Sequence, residues 1–305
     1  MRRLIKALFP IALLCLAFFW ILSAPSTIDD RVKQELAQAG GAELGQQIFW
    51  AGGCSSCHSK KEAKADAKLL LGGDHALVTP VGTFNVPNIS PHKEHGIGSW
   101  SIESFANAML HGTSPDGRNY YPAFPYTSYT KMTSKDIADL WAYMQTLEAV
   151  ATENIPHDLS FPFNISRGIG LWKLVFLNEK PLVDVTKDAQ LQRGQYLVEG
   201  LGHCGECHTP RLALGYGGVN TSRWLAGGPA PEGDGKIPNI TPHASGIGAW
   251  SEEDIVYYLE SGFTPDYDSA GGSMVDVQQN MAKLPKSDLE AIAKYLKAIP
   301  EVASD

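Results

Sequence analysis

The feature that most constrains this chain is that it repeats itself. A Cys-x-x-Cys-His pentad at Cys54, Cys57 and His58 returns 150 residues later as Cys204, Cys207 and His208. The likeness runs well past the pentads. Pro87-Asn88-Ile89-Ser90-Pro91-His92 returns as Pro238-Asn239-Ile240-Thr241-Pro242-His243, and Gly96-Ile97-Gly98-Ser99-Trp100-Ser101 as Gly246-Ile247-Gly248-Ala249-Trp250-Ser251. Repeated blocks in one order imply repeated supersecondary structure, so each copy is expected to be a domain. With 305 residues and 44% hydrophobic content the chain has the material for two cores. The expected division is residues 1–24, a first domain over 25–150, a connector over 151–190 and a second domain over 191–305. The connector carries Phe161, Phe163, Trp172, Leu174, Val175, Phe176 and Leu177. Such content predicts burial against one or both domains rather than a free polar linker.

Within each repeat the apolar spacing predicts helices. One over Ala42 to Ala51 leads into the first pentad, and one over Arg193 to Gly200 leads into the second. Ser101 and Ser251 are placed as N-caps of short helices that stop near Gly112 and Gly262, the second with Asp254 in capping-box position. Closing helices are expected over Asp136 to Leu147 and Asp288 to Ala298, each with an apolar face. Between them Gly and Pro are frequent and β-branched runs are scarce, which predicts a mostly α fold with little sheet.

Arg2, Arg3 and Lys6 precede the apolar run from Ala7 to Ala24, and no acidic residue comes before Asp29. That is the charge order of a signal peptide or an uncleaved membrane anchor. Phe18, Phe19 and Trp20 near its outer end favour the anchor, while Ser23 and Ala24 are small enough for cleavage. Cys15 lies inside the run and reads as a small apolar filler. The net charge of −8 argues against a nucleic-acid partner. Three of the 25 basic and none of the 33 acidic side chains fall within residues 1–24, so the remainder is the more acidic part.

The pentads carry the chemistry. Two thiols spaced Cys-x-x-Cys can add to haem vinyl groups as thioethers, and the adjacent histidine can then ligate the iron from below. A dithiol redox motif has no use for a repeated terminal His, and a zinc site wants four ligands in compact pairs. Two covalently bound haem c groups are therefore expected, attached through Cys54, Cys57, Cys204 and Cys207, with His58 and His208 as proximal ligands. For a sixth ligand in the second repeat, Met274 in the Gly271-Gly272-Ser273 loop is preferred over Met281, because glycines let a loop fold over a flat ring. In the first repeat Phe124 stands opposite Met274 and cannot coordinate iron. Met132 pairs by offset with Leu284, which suggests packing; it stays open as a ligand beside a vacant or otherwise ligated site. Trp100 and Trp250 are either core residues or donors to a haem propionate. Asn88 and Asn239 read as turn-fixing residues.

The chain resembles the cytochrome c subunits of membrane-bound alcohol and gluconate dehydrogenases, and their two-haem relatives more closely still. The resemblance rests on Thr79-Pro80-Val81-Gly82, Pro87 to Pro91, Gly96 to Trp100, Tyr121 to Tyr126, Gly202 to Arg211 and Gly272-Ser273-Met274, and spans roughly residues 45 to 298. It implies two tandem class I cytochrome c-like domains in an exported, membrane-associated carrier. Such a carrier takes electrons from a dehydrogenase catalytic subunit and passes them to a respiratory acceptor, quinone or terminal oxidase, at the periplasmic side of the bacterial cytoplasmic membrane. Two departures stand out. Those dehydrogenase subunits carry three haem motifs against two here, and their Pro-Ala-Met-Pro is Pro122-Ala123-Phe124-Pro125. The rival is a di-haem peroxidase with an open first haem, for which no convergent acid and base set stands near either pentad.

Overall fold

The structure is a computed structural model that describes residues 2–185, 188–212, 217–230 and 235–304, with side chains from residue 9 onward. It is mostly helical. Helices α1 (Arg2–Leu22) and α2 (Asp30–Leu36) precede the first repeat. That repeat contains α3 (Ala42–Ala51), α4 (Cys54–His58), α5 (Ile102–His111), α6 (Tyr126–Tyr129) and α7 (Ser134–Met144). The connector contributes α8 (Gly168–Phe176). The second repeat contains α9 (Ala189–Gln195), which runs on as a π-helical turn over Tyr196–Leu201, then α10 (Cys204–His208), α11 (Glu252–Ser261), α12 (Met274–Met281) and α13 (Lys286–Ala298). Strands are short: β1 (Ala76–Thr79) pairs antiparallel with β2 (Gly82–Asn85), and β2 with β3 (Asp158–Leu159) of the connector.

Local chemistry sets the helix ends. Ser101 Oγ accepts from Ser104 N at 3.1 Å to start α5, and Ser251 with Asp254 forms a full capping box on α11. Gly112 (φ 57°) and Gly262 (φ 82°) stop these helices in the left-handed conformation that glycine takes without a Cβ penalty. The closing helices begin two residues before their expected starts. Thr133 Oγ1 caps α7 by accepting from Asp136 N at 3.1 Å, and Pro285 precedes α13. Periodicity finds the buried face of a helix, whereas the cap decides where it starts.

Each repeat is organised by one helix crossing, α3 on α7 and α9 on α13. A Cβ built on Gly45 would lie 2.0 Å from Asp139 O and 2.8 Å from Tyr143 Cβ; on Gly194 it would lie 2.0 Å from Ala291 O and 2.7 Å from Tyr295 Cβ. Only glycine permits that approach. Beside the crossings Phe49, Ile137, Leu140 and Met144 are buried in one repeat, and Leu197, Leu289, Ile292 and Tyr295 in the other.

The connector touches both repeats. Lys173 on α8 donates to His111 O, Gly112 O and Asn119 Oδ1 at 2.6 to 2.8 Å, holding the end of α5. Leu182 N donates to the buried Glu199 of the second repeat at 2.7 Å. Other apolar side chains of the connector face outward, among them Phe161, Leu174 and Val175.

Near the N-terminus, Ser23 and Ile28 are buried against the first repeat, and Arg167 stacks on Trp20 at 4.1 Å. The membrane-anchor reading of residues 1–24 finds no support: among the described residues no helix is long and apolar enough to cross a membrane.

Gly45→Val and Gly194→Val should each lower stability by about 3 kcal/mol or more, because the added methyl groups force packed backbones apart. Gly168→Ala, with nothing within 4 Å of the new Cβ, should stay within about 0.5 kcal/mol of the unaltered protein. Denaturant midpoints check both.

Candidate functional site

Both pentads fold as a single helical turn entered from a left-handed residue, Gly53 (φ 64°) before α4 and His203 (φ 39°) before α10. Exposure follows the same order in each: the first cysteine and the histidine are half-buried, and the second cysteine is exposed. His58 Nδ1 donates to Pro87 O at 2.8 Å, and His208 Nδ1 to Pro238 O at 2.8 Å. Fixing the proton on Nδ1 leaves the Nε2 lone pair available to a metal and locks the ring plane. Burial pushes the His58 pKa down to about 4 and lowers that of His208 as well, so both rings are neutral imidazoles at ordinary pH. Burial also pushes the Cys54 and Cys204 thiols up to about 12. Among the described residues no group of three or more His, Cys, Asp or Glu side chains converges as a metal cluster.

The acceptor carbonyls come from the repeated Pro-Asn-Ile blocks. Asn88 Nδ2 donates to Val150 O at 2.7 Å while its Oδ1 accepts from Ser90 N at 2.9 Å; Asn239 Nδ2 donates to Val302 O at 2.7 Å while its Oδ1 accepts from Thr241 N at 2.8 Å. The asparagines thus hold the prolines beneath the histidines, as their turn-fixing reading expected. His92 and His243 accept backbone N–H groups of their own turns.

At the turns that precede α6 and begin α12 the repeats part. Phe124 N donates to Tyr121 O and Met274 N to Gly271 O, at 3.1 and 3.2 Å, so the two residues occupy the same turn. Met274 is half-buried at the start of α12. Phe124 packs among the rings of Tyr120, Tyr126 and Tyr129, at 5.9, 6.2 and 5.8 Å between centroids. Met132 N donates to Tyr129 O, and Leu284 N to Met281 O, both at 2.9 Å; these two side chains are buried at matching core positions. Met281 matches Tyr129, and its methyl would lie 3.5 Å from a Cβ on Gly202, under the second pentad's entry turn.

The repeats also interlock at the pentads. Asn280 on α12 accepts from Ser55 Oγ at 3.2 Å and donates to Ser56 Oγ at 2.8 Å. In the mirrored contact Thr127 and Ser128 on α6 donate to Glu206 on α10, which also pairs with Arg211. Burial raises the Glu206 carboxyl pKa, but the Arg211 charge and the Thr127 hydroxyl outweigh it and hold the group below its ordinary range. Sequence reasoning missed these contacts, and it missed the proline carbonyls as histidine acceptors. The repeat of Pro87 as Pro238 was the one available signal.

A family model described as cytochrome c matches residues 42–148. A protein named diheme cytochrome c-type from Cereibacter sphaeroides is 49% identical over 99% of this chain and 100% of its own length. The chain belongs to the diheme c-type cytochromes. As a diheme cytochrome it carries two covalently bound haem c groups, and the paired thiols and oriented neutral imidazoles fit them. It is also 39% identical to the fructose dehydrogenase cytochrome subunit of Gluconobacter japonicus, over 85% of this chain and 52% of that one. To the cytochrome c subunit of alcohol dehydrogenase (quinone) from Gluconobacter oxydans it is 36% identical, over 85% and 54%. The cytochrome therefore spans about half the length of those two subunits.

Removing both thiols of one pentad, as Cys204→Ala with Cys207→Ala, should yield protein that carries one covalent haem. Intact mass and haem staining of denaturing gels check this. Two haems retained by that variant would remove the pentad as an attachment point.

Proposed function

We propose that this diheme cytochrome relays single electrons from the catalytic subunit of a dehydrogenase to the quinone or terminal-oxidase side of a respiratory chain, at the periplasmic face of the cytoplasmic membrane. The observation that carries the reading is that each pentad is held by the other repeat, through Asn280 on one side and Thr127 and Ser128 on the other. The cytochrome subunits of fructose and alcohol dehydrogenases among its relatives support a dehydrogenase as partner and do not favour the peroxidase alternative. The charge order of residues 1–6 supports export.

In this reading Cys54, Cys57, Cys204 and Cys207 attach the haems, and His58 and His208 hold the irons through Nε2. Haem c supplies a one-electron iron couple. Met274 offers a second ligand to the second iron. At the matching turn of the first repeat Phe124 offers none, and the core position of Met132 makes packing its reading. A His and Met pair raises the potential, so the second haem is the higher of the two.

Met274→Ala should abolish a methionine-to-iron charge-transfer band in the oxidised spectrum, and Met132→Leu should leave the spectrum unchanged. Loss of a second band in Met132→Leu would make that residue a ligand.

The relay itself is tested by isolating the cytochrome with its bound partner and following haem reduction after substrate is added. Reduction on a millisecond scale supports the relay. Because the chain is acidic, a basic docking face is expected on the partner, and association should slow as salt rises. Sustained turnover of hydrogen peroxide by the reduced protein, without reduction by any dehydrogenase, would replace the relay with a peroxidase.

A further inference from the structure

Gly53 and His203 occupy the same place in the two repeats. Each precedes the first cysteine of its pentad, and each has a left-handed backbone. Glycine meets that requirement without steric penalty, whereas histidine carries a Cβ that opposes it. A side chain kept at such cost points to a use. The use lies across the interface: a Cβ on Gly53 would stand 3.6 Å from His203 Nε2. The imidazole meets Tyr129 edge to face, with 5.7 Å between ring centroids. Tyr129 in turn donates its hydroxyl to Gly52 O. A ring borne next to Cys204 therefore rests against the backbone next to Cys54, with Tyr129 bracing both.

We propose that His203 is a positioning residue for electron exchange between the two haems: its imidazole wedges the Cys204 entry turn against the Gly52–Gly53 backbone and holds the two attachment turns at one spacing. The inference rests on the relay reading and adds to it the element that sets the internal step. Electron exchange falls off exponentially with the gap between centres, so a loosened wedge shows first in that rate. Asn280, Thr127 and Ser128 contact residues that lie between the cysteines, whereas His203 contacts the backbone just before the first cysteine.

The test uses the intact two-haem protein. His203→Gly removes the wedge and suits the left-handed backbone. His203→Asn, also at home in that backbone but too short to reach Gly53, carries the same expectation should the glycine variant mature poorly. His203→Gln is long enough to refill the gap. Flash photoreduction with an external photosensitiser places one electron on the protein, and the optical redistribution between the haems gives the exchange rate. A potentiometric titration gives both potentials. In His203→Gly the exchange should slow by about tenfold or more at unchanged haem content and potentials, and His203→Gln should recover most of the loss. A rate within about twofold of the unaltered protein, or a slowing fully accounted for by shifted potentials, overturns the proposal. Failure to accept electrons from a dehydrogenase would count against the relay reading alone, because photoreduction needs no partner.

Discussion

Everything else in each repeat depends on a helix crossing so close that backbone meets backbone. Gly45 lies against Asp139 O and Gly194 against Ala291 O, and in both places a Cβ would fall 2.0 Å from the carbonyl oxygen. Because α3 and the π-helical end of α9 run straight into the entry turns of the pentads, these crossings fix where the cysteines and histidines stand. A wider crossing would shift the pentad against the Pro-Asn-Ile block that holds its histidine. The burial of Phe49 and Tyr143 in one repeat, and of Leu201 and Tyr295 in the other, follows from that contact.

Chemical readiness is then a matter of hydrogen bonds to the backbone. Pro87 O and Pro238 O select the Nδ1–H tautomer of His58 and His208, and Asn88 and Asn239 hold those carbonyls in place. Desolvation keeps the imidazoles and the first thiols neutral, and a neutral imidazole suits an iron ligand. The repeats differ at the turns that carry Phe124 and Met274. An aromatic cluster around Phe124 stands where the second repeat presents Met274, so the duplicated fold offers unlike side chains at matching turns.

Duplication also supplies the interface. The seryl and glutamyl positions inside the pentads, Ser55, Ser56 and Glu206, are taken up by α12 and α6 of the opposite repeat, and His203 meets Gly53 between them. Residues between the cysteines are free to vary as far as haem attachment is concerned, and the chain uses them to join its halves. Glu206 shows the cost and its remedy: a carboxylate at a dry contact is held by Arg211 and two hydroxyl groups.

By itself, the sequence determined the duplication, the two pentads, the short helices capped at Ser101 and Ser251 and the opposition of Phe124 to Met274. All of these are local or periodic signals, written in adjacent residues or at a constant offset. The earlier start of α7 at Thr133 was legible as well, since a threonine three residues before Asp136 is a capping pattern. Only the tertiary structure decided which carbonyl meets each histidine, that Asn280 meets Ser55 and Ser56, and that His203 faces Gly53. Those facts join residues from 29 to 225 positions apart, and no spacing rule ranks such pairs as contacts. Packing of the two repeats selects them, through close approach at glycine and the need of every buried polar group for a partner.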